Sequence, residues 1–346
     1  MRIAELYEPR HFRLIQGSIP EPGPGEVQVR VQAVGICGSD LHYFSEGGIG
    51  DTPCHYPMVL GHEPTGVVVK SGPGVSGWEP GARVALEPAI YCHHCEFCMT
   101  GRHNVCANIR FLSMPGDPGC FRDYVSIPAT NLLLLPQNLS FQQGTLFEPL
   151  AVILHSMKLI ALQPGETAAV FGAGPIGLLT IALLKMSGAR RIWAVEPVAH
   201  RREMARLLGA DAAIDPAYVD PVHQILSDTG QRGVDAAIDC VCKDGSLNQA
   251  INVARNAGRV IITGIPSETH ISIEYHPVRR KELSILTVRR SNHDSEMALE
   301  LLSQYPDRFC PILTHFRPLE EVEQTFAMLE HYEDGVGKAV MQVGEG

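Results

Sequence analysis

The sequence contains no run approaching ~18 consecutive apolar residues, so it offers no candidate for a membrane-spanning helix. Its first residues, MRIAELYEPR, lack the apolar stretch of a secretory signal. Positive charge is in short supply: 28 Lys and Arg stand against 38 Asp and Glu, a formal net charge of −10. Such a chain has no electrostatic grip on a phosphate backbone, and a nucleic-acid partner is not expected. Cysteine is sparse too, with 10 in 346 residues, far below the density of a disulfide scaffold. The expectation is a cytoplasmic protein with neither membrane nor nucleic acid as partner.

What is present is ordinary for a globular protein: 45% hydrophobic and 19% charged residues, enough to bury a full core and to exclude disorder. At ~100–200 residues per domain the length predicts two domains. Up to about residue 150 the chain reads as short strands with turn punctuation. EVQVRVQAVGI alternates apolar and polar positions, and PTGVVVKSGPGV and ARVALEPAI are β-branched runs between Gly/Pro clusters. From about 165, strand runs (TAAVFGAG, RIWAVEP, DAAIDC, RVIITG) alternate with helical ones (GPIGLLTIALLKMSG, REMARLLGA, SLNQAINVARNAG). That alternation predicts an α/β fold built on a doubly wound parallel sheet of the Rossmann type. After about 290 the chain turns helical (SEMALELLSQYP, LEEVEQTFAMLEH) and closes on a strand, KAVMQV. The predicted organisation is a β-rich domain over 1–155, completed by 290–346, and interrupted by a nucleotide-binding domain over 156–289.

Three constellations carry chemistry. Gly172-Ala-Gly174-Pro175-Ile176-Gly177 follows a strand run and opens a helical one, the context a dinucleotide turn requires. Gly172 permits the tight turn, Gly174 lets backbone N–H groups approach a pyrophosphate, and Gly177 allows close helix–strand packing. Glu196, at the end of the next strand run, is the acidic residue expected ~20 positions on. Its carboxylate suits the ribose hydroxyls and repels a 2′-phosphate, which favours NAD. Arg201 and Arg202, close behind, offer contacts to adenine or to a phosphate and keep NADP as the alternative. Gly264, closing the RVIITG run, is placed with the cofactor-binding residues.

The second constellation is Cys92-x2-Cys95-x2-Cys98-x7-Cys106. Four thiolates so spaced can close a tetrahedron about Zn²⁺ with no open position, the mark of a structural site. His93, His94 and His103 fall in the same segment and read as solvated loop residues. The third is scattered: Cys37-Gly-Ser39-Asp40-Leu-His42, Gly61-His62-Glu63 and Phe147-Glu148-Pro149. A catalytic zinc needs such ligands and one open position. A lone cysteine after a strand is ordinarily a small core hydrophobe, so the residues alone leave both readings open.

Taken together, the strings GICGSDLH, GHEPTGVVVKSGPGVSGWEPGARVALEPAIYC, CEFCMTGRHNVC, FEPLAV and VFGAGPIGLL resemble the zinc-dependent medium-chain dehydrogenases over essentially the whole chain. Within that family the Cys37–Phe44 segment, with Gly-Ile-Gly a few residues later, is similar to sorbitol (polyol) dehydrogenases. Threonine dehydrogenases and general secondary-alcohol dehydrogenases share parts of the pattern. The resemblance implies a GroES-like catalytic domain beside the Rossmann domain, a small alcohol or polyol as substrate, NAD and two zinc ions. It also implies a homo-oligomer, dimer or tetramer.

By the resemblance, Cys37, His62 and Glu63 match catalytic zinc ligands, and Glu148 a carboxylate at that zinc. Ser39 and His42 match a proton relay, and Cys92, Cys95, Cys98 and Cys106 the structural site. Tyr43, Phe111 and Arg290 fall where the family has substrate-pocket residues. The late pocket segment departs from the family's frequent Phe-Arg-Tyr, reading Arg289-Arg290-Ser291 here, and Cys120 stands where glycine is common. A non-catalytic relative would be expected to have lost part of these constellations, and none of their residues is missing.

Overall fold

The computed structural model describes residues 1–344. They divide into two units: Met1–Glu148 together with the chain from Asn292 onward, and the continuous stretch Pro149–Ser291. The division falls inside the helix Phe147–Ile160. A helix that runs through a boundary leaves no linker to read in the sequence, and the expected 155/156 boundary lies in this same helix.

The first unit is built on a seven-stranded sheet whose central strand is Glu26–Gly35. Val27, Val29, Val31 and Ala33 of that strand are fully buried, as its alternation predicts. One neighbour is Glu63–Ser71, antiparallel with Gly35 opposite Glu63; the other is Lys338–Gln342, antiparallel with Gly35 opposite Val340. Three strands far apart in the chain therefore bring their ends together at Gly35. The helix Val322–Glu330 sends Phe326 into the same core, where its ring lies 5.0 Å from Phe44 and 5.1 Å from Phe12. Burying one such side chain contributes ~1.5–3 kcal/mol, and so fastens the late segment to the early one.

The late segment is less helical than its composition predicts. Leu313–Pro318 forms an edge strand parallel to Lys338–Gln342. It is short, and its Phe316 faces outward at 43% exposure, which removes the apolar signal a strand usually carries. The motif Gly38–Glu46 likewise forms a helix directly after the central strand, capped at its end by Gly47 in the left-handed region. Cys120 is fully buried in this unit's core, where it serves as a small apolar side chain.

The second unit holds six parallel strands in the order Ala212–Ile214, Arg191–Val195, Thr167–Phe171, Val234–Asp239, Ala254–Ile262, Ser284–Thr287. Numbered along the unit this is 3-2-1-4-5-6, the doubly wound arrangement. TAAVF and VDAAID are buried at every position, because helices cover both faces of such a sheet. The helix expected over SLNQAINVARNAG stops at Val253, and ARNAG instead begins the strand Ala254–Ile262. Ala254 is extended (φ −65°, ψ 138°) and pairs with Val234, and the pairing with Val234–Asp239 resumes at Arg259. No helix among the described residues is long and apolar enough to cross a membrane.

Candidate metal centres and nucleotide turn

Cys37 lies just beyond the central strand, and His62 and Glu63 enter the adjacent strand; the ligand atoms of these three lie within 4.8 Å of one another. A thiol, an imidazole and a carboxylate so close fit a zinc ion with one position left open. The site depends on Gly35: a side chain there would run into the Glu63 carboxylate and the stem of Lys338. Strand register thus places the carboxylate, and the missing side chain makes room for it.

Asp40, Ser113 and Lys338, to which the sequence assigns no role, support this cluster. Asp40, on the first turn of the helix after Cys37, is 1% exposed and receives hydrogen bonds from Cys37 N (3.1 Å) and Ser113 Oγ (2.8 Å). Its Oδ1 lies 3.3 Å from His62 Nδ1. A carboxylate behind a metal-ligating histidine fixes the ring and strengthens it as a ligand. Burial works against charge on both, yet each stabilises the other: Asp40 is held below the usual carboxylate range, and Asp40 and Cys37 raise His62 well above the usual histidine value. Lys338, the first residue of its strand, is 1% exposed and donates to Ile36 O (3.0 Å) and Glu63 Oε1 (2.9 Å). Glu148 is 7% exposed. Burial pushes it up to about 8, with Glu63 and Glu87 adding to the shift while His62 and Lys338 oppose it.

Ser39 and His42 lie on the helix Gly38–Glu46, both partly exposed. His42 Nδ1 stands 3.1 Å from Glu46 Oε2, one turn on. With Nδ1 donating to that carboxylate, Nε2 is left as the acceptor nitrogen. Phe111 lies with its ring 5.4 Å from that of His62. Tyr43 is 2% exposed and forms part of the unit's core. Arg290 belongs to the second unit, with φ +54°.

The four cysteines of the second constellation also converge, their sulfurs all within 4.8 Å of one another. The closest pairs are Cys92–Cys106 at 3.4 Å, Cys95–Cys106 at 3.9 Å and Cys92–Cys98 at 4.0 Å. A tetrahedron with Zn–S of ~2.3 Å has sulfurs about 3.8 Å apart, so the cluster fits zinc with no position left over. Backbone N–H groups assist: that of His94 leads in holding the Cys92 thiol down at about 5, and that of Cys98 in lowering Cys95. Of the three histidines in this lobe, His93 and His94 are exposed as expected, but His103 is partly buried against His293.

In the second unit the glycine turn follows its strand as the sequence predicts. Gly172 has φ +88°, and a side chain on Gly177 would collide with the Gly172 carbonyl. Gly174, Pro175 and Ile176 open the helix Pro175–Met186, whose first N–H groups are free of helical partners and suit an anion. Glu196 is buried and accepts from Ala173 N (2.7 Å) and Val198 N (2.9 Å), so it shapes the turn as well as facing it. Arg201 Nη1 lies 3.9 Å from where a Gly174 side chain would begin. Arg202 is committed elsewhere, to the Glu196 carbonyl (2.9 Å) and Asp215 (2.9 Å). Gly264 donates to the carbonyl of Asp239 (3.0 Å), the last residue of the neighbouring strand.

Comparison with known proteins agrees with this geometry. The family model described as alcohol dehydrogenase GroES-like domain matches residues 23–137, and that of zinc-binding dehydrogenase matches 175–304. The chain is 34% identical over 339 residues to sorbitol dehydrogenase of Homo sapiens, covering 97% of this chain and 94% of that one. It is similar to 2R,3R-butanediol dehydrogenase from Bacillus subtilis, with a TM-score of 0.88 at 32% identity over 99% of each chain. A zinc-binding dehydrogenase from Sinorhizobium meliloti 1021, solved bound to NADP, gives a TM-score of 0.90 at 30% identity, again over 99% of each chain.

Proposed function

The chain belongs to the zinc-dependent medium-chain alcohol dehydrogenase family, and from that premise we propose that it oxidises a secondary hydroxyl of a small polyol to a ketone, with NAD as hydride acceptor. The observation that carries this reading is the Cys37–His62–Glu63 cluster with buried Glu148 in electrostatic contact with it. When bound, zinc lowers the pKa of a substrate hydroxyl and the nicotinamide takes up a hydride.

The chain's own residues do the rest. Cys37 and His62 hold the metal, and Asp40 fixes the His62 ring for that task. Glu63 enters as third ligand, or stays beside the metal paired to Lys338. Oxidation of an alcohol also releases a proton, and Ser39 and His42 are the relay that carries it away. Glu46 orients His42 by holding Nδ1, so that Nε2 receives the proton. Glu148 is the buried carboxyl beside the cluster, pushed up by burial and by Glu63 and Glu87. Tyr43 and Phe111 are assigned to the substrate.

In the second unit, the glycine turn and the helix from Pro175 take the pyrophosphate, and the carboxylate of Glu196 takes the ribose. A carboxylate already fixed by two backbone N–H groups cannot swing aside for a 2′-phosphate, which supports NAD over NADP. The decisive experiment is NADH production against sorbitol, xylitol, galactitol, threonine and simple secondary alcohols. Turnover led by a four- to six-carbon polyol supports the reading; turnover led by threonine or 2-propanol rejects the substrate while leaving the chemistry in place.

A further inference from the structure

The first unit carries a histidine contact that this chemistry does not use. His93 and His103 lie in the lobe of the four-cysteine cluster, and His293 follows the point at which the chain re-enters the unit. His293 Nε2 stands 2.6 Å from His103 Nδ1, with the rings 3.9 Å apart and at 78°. The His93 ring lies 5.9 Å from that of His103, and Tyr91 flanks His103 at 5.4 Å and His293 at 6.1 Å.

The approach is fixed by the backbone. Asn292 accepts from His103 N (3.0 Å) and donates to Gly101 O (2.8 Å), clamping the lobe to the segment that bears His293. Asn292 N in turn donates to Asp294, which is fully buried. His293 and His93 both hold left-handed backbone, φ +60° and +59°, a conformation that few residues with a β-carbon adopt.

Two imidazole nitrogens that share an ion at ~2.0–2.1 Å stand about 2.9–3.4 Å apart, a few tenths of an ångström from the observed separation. Imidazole suits borderline divalent ions such as zinc, nickel and copper. We infer that His103 and His293 form a third metal site, for a borderline divalent transition ion. The four-cysteine cluster takes zinc first, being closed and all thiolate. The histidine site is open, holds its ion more weakly, and ties the cysteine lobe to residues 292–294.

The test is calorimetric titration of Ni²⁺ into the zinc-loaded protein, with zinc release followed in parallel. One further ion per chain is expected to bind saturably without releasing zinc. His103→Asn and His293→Asn should each weaken that uptake roughly tenfold or more, since loss of a ligand costs at least as much as loss of its supporting partner. Zinc retained at the cysteine cluster shows that a variant is folded. If His103→Asn loses that zinc, His293→Asn, an exposed side chain outside the lobe, decides alone. Absence of a saturable further ion, uptake matched by zinc release, or equal uptake by wild type and His293→Asn would each overturn the site. The contact would then be a hydrogen bond between two imidazoles.

Discussion

Lys338 and Glu63, 275 positions apart in the chain, form a buried ion pair in which Nζ lies 2.6 Å from one carboxylate oxygen and 2.9 Å from the other. Both side chains are almost wholly removed from water, at 1% and 0% exposure. The pair gives Glu63 its counter-charge before any metal arrives. In zinc-free protein, Lys338→Met leaves a carboxylate buried without its partner, and a loss of about 3–5 kcal/mol is expected. The double variant Lys338→Met, Glu63→Gln should regain much of it, because no unpaired charge then remains. Urea unfolding of the two variants measures this; a loss below ~1 kcal/mol for Lys338→Met would show that the pair contributes little.

Freshly purified active protein should contain two zinc ions per chain, one at Cys37–His62–Glu63 and one at the four cysteines. Mild chelation is expected to abolish activity before it removes the second ion, since only the first site has an open position for the chelator. Metal analysis alongside activity decides this, and active protein with a single zinc counts against it.

Cofactor choice should follow Glu196. Wild type is expected to show higher kcat/KM with NAD than with NADP. Glu196→Ser should narrow that ratio by removing the charge that repels a 2′-phosphate. Some loss with both cofactors is expected as well, because Ala173 N and Val198 N lose their acceptor. A wild-type preference for NADP would refute the assignment.

On the substrate side, a site that bonds several hydroxyls should penalise an analogue lacking them by up to ~10⁴-fold. 2-Propanol should therefore be a much poorer substrate than a four- to six-carbon polyol. Equal kcat/KM for the two substrates in wild type would point to a general secondary-alcohol dehydrogenase.

The second unit should show an acid-sensitive contribution from Asp235. Burial disfavours its charge, but Arg232 (2.6 Å), Arg255 (2.7 Å) and Thr167 hold it below the usual carboxylate range. Because the folded state binds the proton less readily than the unfolded one, this stabilisation is complete above the ordinary aspartate pKa and fades as pH falls below it. Asp235→Asn is expected to cost about 1–3 kcal/mol at pH 7 and progressively less in acid. Unfolding of wild type and variant at pH 7 and at pH 3 measures the difference; a constant gap would show that ionisation is not its source.

How much of this the sequence displayed depended on how local each signal is. The glycine turn, the cysteine spacing and the alternation along each strand are each written within about fifteen residues, and the structure has them at those positions. Asp40 was in view inside the Cys37–His42 string but had no role, because its partner His62 lies in another element. Lys338 and Ser113 carried no local signal at all: strand register and a loop bring them in. ARNAG reads as helix for a related reason: only Ala254 at its start pairs with the neighbouring strand, at Val234, and the ladder resumes at Arg259. Likewise the sequence shows His103 as a solvated loop residue, its contact being 190 positions away in the chain.

The sheet of the first unit also sets a timetable for synthesis. Along one edge of Glu26–Gly35 the first half pairs with Tyr124–Pro128, but Ala33–Gly35 pairs only with Lys338–Gln342. The second unit is continuous and can fold on the ribosome as soon as its last strand, Ser284–Thr287, has emerged. The first unit must wait until nearly the whole chain has been translated. A nascent chain stalled before Lys338 would carry a finished nucleotide-binding unit, a Glu63 carboxylate without its lysine, and unpaired backbone just ahead of Cys37. Exposed backbone of that kind is what invites pairing with neighbouring chains.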